Sequence, residues 1–143
     1  MSDSRQAIHD LSRGERGLES ACRTLAEHAR GIQVDELLRF AEEHQSAAVY
    51  LEGLVGARPS SWSTSPWFDR AGALTAALRG THAIVAFLTA REHDLLHRYI
   101  KGLPQVETDK RVEIQARVLP PATSRLAVLD RFAVLAEESY VGA

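Results

Sequence analysis

Residues 34–55 read VDELLRFAEEHQSAAVYLEGLV, and the spacing of their apolar members decides the fold. Side chains at i, i+3 or i+4, and i+7 share one face of a helix. Leu37, Ala41, His44, Ala48, Leu51 and Val55 fall on one such face, with His44 in the central slot of a small and aliphatic seam. Asp35 and Glu36 occupy the first turn, where acidic groups suit the positive end of the helix dipole. Glu43 is turned about 100° from His44 on a 3.6-residue helix and is expected to face water.

The same pattern extends in both directions. Upstream, a helix from about residue 4 to 30, stopped by Gly31, carries the stripe Ile8, Leu11, Glu15, Leu18, Cys22, Leu25 and Ala29. Gly14 and Gly17 flank its glutamate, and each costs up to about 1 kcal/mol against alanine, which points to close approach of a neighbouring helix. Downstream, Val85, Leu88, Glu92, Leu95, Leu96, Tyr99 and Leu103 form a third stripe with Glu92 near its axis. A buried, unpaired carboxylate costs several kcal/mol, so Glu92 needs a partner. Gln115 is the polar member of a fourth, less regular segment.

Between these stripes the chain is punctuated. Residues 56–66 are rich in turn formers and lack periodicity, which suits a long crossover from one end of a bundle to the other, with Trp62 and Trp67 pinning it down. Ser65 and Pro66 start a helix that runs to about Leu78. Arg79 and Gly80 interrupt it, and Thr81 restarts a helix to about Lys101, so the third arm reads as a broken rod. The fourth arm begins near Val106 and should kink or split at Pro120 and Pro121, its second piece facing the core through Ala122, Leu126, Leu129, Ala133 and Ala136. No strand-period run competes. The expected fold is all-α, an antiparallel four-helix bundle with kinked third and fourth arms, in a single domain over residues 1–143.

Composition narrows the function. Seventeen basic and nineteen acidic residues are interspersed, giving a formal net charge of -2, so no broad basic face argues for nucleic acid. No run approaches the roughly 18 apolar residues of a membrane span, and residues 1–10 lack a signal-like apolar core; the expected location is cytoplasmic. Cys22 is the sole cysteine and sits in the first apolar stripe, the place of a small buried hydrophobe.

Midpoints of adjacent rods share a layer in a bundle, so Glu15, His44 and Glu92 should converge. Imidazole and carboxylates are ligands for iron, manganese or zinc. A full di-iron site, however, draws on two Glu-x-x-His pairs, and this chain contains none. The alternative is a hydrogen-bonded His-Glu layer, completed by Gln115, that sets helix register. His93, Asp94 and His97 share a helix flank but lack the His-Glu-x-x-His order of a zinc protease, and read as a solvated surface.

The runs Gly14-Glu15-Arg16-Gly17-Leu18, Phe40-Ala41-Glu42-Glu43-His44, Ala76-Ala77-Leu78-Arg79-Gly80 and Arg91-Glu92-His93-Asp94 with Tyr99 resemble an uncharacterised bacterial domain-of-unknown-function branch of the ferritin-like clan, distantly similar to rubrerythrin. The resemblance spans about residues 10–130 and implies a ferritin-like bundle with an iron site and a stress-response role. It matches Glu15, Glu43 and Glu92 to the family's first three glutamates, and places Val118 and Thr123 where the family shows a glutamate and a histidine. The expected function is therefore a degenerate ferritin-like module for binding or assembly, without catalytic turnover and without a required cofactor. The alternative is an iron-binding protein, di-iron-like or mononuclear, with manganese as the other metal, using Glu15, Glu43 or His44, and Glu92 in an oxidase or iron-handling role in stress response. Ile84, Phe87, Val128, Phe132 and Leu135 lie off the main stripes and call for cover, which neighbouring arms, the tryptophan crossover or, as the expectation here, a homodimer would supply.

Overall fold

The computed structural model describes residues 2–29, 34–56 and 65–141, and every secondary element among them is helical. In chain order these are α1 Ser2–His28, α2 Val34–Val55, α3 Ser65–Arg79, α4 Thr81–Gly102 and α5 Thr108–Val141, with a short 3-10 turn, Leu103–Gln105, before α5. No helix is long and apolar enough to cross a membrane among the described residues. The whole α2 stripe is buried, and α4 buries Val85, Leu88, Glu92, Leu95 and Tyr99. Ile8, Leu11, Leu18, Cys22 and Leu25 of α1 complete the same core. Gly31 and Trp62 lie outside the described residues, as does the side chain of Trp67.

Touching residues fix the helix directions. α1 meets α2 through Arg5 and Val55, Arg16 and Glu52, and Arg23 and Gln45, so residue numbers rise along one helix as they fall along the other. The two helices are antiparallel. α1 meets α4 in the same opposed sense, with Leu11 beside Gly102, Gly14 beside Arg98 and Glu15 bonded to Tyr99. Consequently α2 and α4 run the same way. α5 returns along α4 after the 3-10 turn and also touches α2.

The third arm breaks where expected, yet it is not a rod. Gly80 has φ 105°, a conformation that side-chain-bearing residues rarely adopt, and the chain reverses there within one residue. α3 then lies back along α4, with Asp69 paired to Arg91 and Gly72 against Phe87. A Cβ on Gly72 would stand 2.9 Å from the Phe87 ring, so this glycine permits the close approach. An end-to-end return is made by helix α3, packed on α1 and α4; most of the 56–66 link that the sequence suggested as the crossover, residues 57–64, lies outside the described residues. Neighbouring arms cover most of the off-stripe residues: Ile84 and Val128 are buried, and Phe87 and Phe132 pack partly buried against the core, Phe87 beside Gly72 of α3. Leu135 does remain exposed.

The fourth arm is not split. α5 continues through Pro120 and Pro121 because both flanks are anchored in one seam, with Ile114 and Val118 buried before the prolines and Ala122 and Leu129 after them. Pro120 points outward, and the Thr123 hydroxyl donates to the Leu119 carbonyl at 3.0 Å. Gln115 is exposed, because the buried face of α5 runs through Ile114 and Val118 on either side of it.

Candidate functional site

Four helices contribute to one polar layer in the middle of the core. α1 supplies Glu15, α2 supplies His44, α4 supplies Glu92 and Tyr99, and α5 supplies Arg125. Each lies on its helix's apolar stripe, so burial of the stripe carries the polar group inward with it. The exposed fraction of the side chain is 0% for Glu15 and His44, 1% for Glu92 and 3% for Arg125.

His44 is the hub. Its Nδ1 lies 2.8 Å from Glu15 Oε2 and its Nε2 lies 2.5 Å from Glu92 Oε1. Glu15 receives a second bond from the Tyr99 hydroxyl at 3.0 Å. Arg125 donates from Nε to Glu92 at 3.0 Å, and its Nη1 reaches Glu43 Oε1 at 3.0 Å. Glu43 stands at the rim, 25% exposed, where Arg39 of the same helix also holds it at 3.0 Å. It is thus neither the freely hydrated residue that helical geometry suggested nor a member of the inner layer.

The electrostatics follow from this packing. Burial alone would drive His44 to its neutral form, but bonds to Glu15 and Glu92 outweigh it and raise the pKa to about 8. Burial likewise opposes ionisation of Glu92, and here the His44 and Arg125 cations prevail, holding it below the ordinary carboxylate value. Arg125 stays charged against desolvation because Glu92, Glu15 and Glu43 surround it. Burial and then the charge of Glu15 lift the Tyr99 hydroxyl well above its usual range, so it serves as a neutral donor. The inner layer sets two acidic groups, Glu15 and Glu92, against two basic ones, His44 and Arg125. Its charges balance, which is what permits them to be buried together.

Glu15, His44 and Glu92 converge as the stripes indicated, and Glu92 has the partners its burial demands. Arg125 and the hydroxyl of Tyr99 are the functional groups that sequence reasoning missed. A usable signal existed for the arginine: it stands three residues after Ala122 and four before Leu129, in the middle of the buried face. His93, Asp94 and His97 are exposed, as expected of a solvated flank.

The ligand chemistry of this layer is already engaged. A metal would compete for lone pairs on His44, yet both ring nitrogens face carboxylate oxygens, and a guanidinium lies against Glu92 and Glu43. No group of three His, Cys, Asp or Glu among the described residues is placed to hold a metal ion. As arranged, the donor set does not fit bound iron or manganese. No family model, curated protein or solved structure matches the chain.

Proposed function

We propose that the chain is a ferritin-like bundle of α1, α2, α4 and α5, with α3 as its crossover, whose central layer fixes helix register and which acts as a binding or assembly module without turnover. Helix directions support the architecture: a pair of antiparallel helices, one long return, then a second antiparallel pair is the arrangement of one-crossover bundles. The observation that carries the functional reading is Arg125. Its guanidinium supplies to Glu92 and Glu43 the positive charge that a metal would otherwise bring to such carboxylates. With the inner side chains almost wholly enclosed, the layer offers no surface to a substrate.

The second reading, an iron- or manganese-handling protein, is favoured by one fact: Glu15, Glu43, His44 and Glu92 lie at one level of the bundle. Elemental analysis of protein prepared without chelator separates the two. The module reading expects only trace metal, whereas near-stoichiometric iron or manganese that disappears in Glu92→Gln would refute it. Homodimer formation is the simplest assembly for such a module, and light scattering at micromolar concentration tests it.

A further inference from the structure

A groove of about 460 Å³ opens between the first half of α1 and the end of α4, lined by none of the residues of the polar layer. Its size falls within the range of small-molecule sites, about 300–1,000 Å³. Three cations line it: Arg13 from α1, and Arg98 and Lys101 from α4. None of them has a hydrogen-bond or ion-pair partner among the described residues, which is true also of Arg70, Arg79, Lys110 and Arg131 elsewhere on the surface; what sets these three apart is that they line one groove. The one acidic residue in the lining, Asp10, is held by the side chain of Gln6 at 2.8 Å.

The floor is apolar, made by Ala7, Leu11 and Gly102. Gly102 has an ordinary helical conformation, with φ -85°, and a Cβ placed there would meet Leu11 only at 3.8 Å, a normal contact. Neither backbone geometry nor packing within the chain requires glycine at this position. Its effect is to leave the floor of the groove open.

We propose that this groove binds a small phosphate monoester, the phosphate held by Arg13, Arg98 and Lys101 and a compact apolar group seated over Leu11 and Gly102. A guanidinium group matches the oxygens of a phosphate in fork geometry, and a lysine adds a point charge. A net excess of two positive charges in the lining, from Arg13, Arg98 and Lys101 against Asp10, suits a dianion. This site is independent of the buried layer and of whether that layer holds a metal.

Titration of the full chain with inorganic phosphate and with phenyl phosphate at constant ionic strength, followed by amide chemical shifts, tests the proposal. The expected result is saturable binding of both, tighter for phenyl phosphate, with shifts concentrated at residues 7–14 and 98–105. Arg98→Ala should weaken both ligands at least tenfold, while Arg131→Ala, an exposed position on α5 outside the groove, should leave them unchanged. Gly102→Val keeps every charge and should reduce phenyl phosphate to the affinity of inorganic phosphate. An absence of saturation, or equal losses in Arg98→Ala and Arg131→Ala, would overturn the site; unaltered preference for phenyl phosphate in Gly102→Val would overturn the role of the floor.

Discussion

Replacing Arg125 with methionine keeps a long side chain in the core but withdraws the only guanidinium from the inner layer. Two bonds of 3.0 Å disappear, one to Glu92 and one to Glu43. Their losses are unequal. Glu43 is a quarter exposed and retains Arg39, so its share is small, whereas Glu92 is almost wholly enclosed and would have only His44 to offset it. The variant then buries the carboxyl groups of Glu15 and Glu92 with only the His44 imidazole between them. Removing one partner of a buried pair typically costs about 3–5 kcal/mol, and that range is the expected destabilisation here. Against a total stability of about 5–15 kcal/mol, such a loss should shift a urea midpoint at pH 7 by an easily measured amount. The double variant Arg125→Met with Glu92→Gln removes both charges, and neutral replacement of buried pairs is often tolerated, so it should be more stable than the single variant. A coupling energy of about 2 kcal/mol or more is expected from the complete cycle. If Arg125→Met lay within about 0.5 kcal/mol of the parent, as surface changes do, or if the two changes were additive, the layer would not be a charge-balanced unit.

Stability should also depend on pH through His44. Its pKa rises from 6.5 in the unfolded chain to about 8 when folded, so its contribution of about 2 kcal/mol is complete below 6.5 and lost as pH climbs through 8; His44→Gln should flatten that alkaline slope in denaturation midpoints. Glu92 works in the opposite sense, its depressed pKa giving stability that is present above the ordinary carboxylate range and lost as pH falls below it. Tyr99→Phe should cost about 1–3 kcal/mol by leaving one Glu15 oxygen without its donor, measurable by thermal unfolding. Gly80→Ala should destabilise by about 1–3 kcal/mol because of its φ of 105°, whereas Gly53→Ala, within α2 and facing open space, should stabilise by up to about 1 kcal/mol.

Much of this arrangement was legible because three of the polar groups interrupt long stripes of regular period. Glu15, His44 and Glu92 are each surrounded by residues whose burial leaves the helix little choice of face. The arginine was hidden by a local rule applied too strongly. Treating Pro120 and Pro121 as a break divides α5 into two short pieces and directs attention to Gln115, but the continuous helix Thr108–Val141 has Arg125 near its centre, at the level where the other arms carry their polar residues. Tertiary burial on both sides of the prolines overcame the local preference. The reversal at Gly80 was harder to read. A glycine between two helical patterns signals an interruption, but whether the second piece continues or doubles back rests on contacts such as Asp69 with Arg91 and Gly72 with Phe87, which are remote in sequence and carry no period.

The members of the buried layer are far apart along the chain, and this has a consequence for the order in which a growing polypeptide can acquire its structure. Glu15 and His44 are separated by 29 residues and emerge early, Glu92 follows His44 after 48, and Arg125 arrives 33 later still. Until that last residue emerges, the α1, α2 and α4 segments have nothing to balance the second carboxylate, and docking them around a common interior would bury an excess negative charge. Partial assemblies are penalised in proportion to how dry they become. The chain is thereby steered to keep its first helices hydrated and loosely associated during synthesis, and to commit to a sealed interior only once α5 is long enough to deliver its guanidinium.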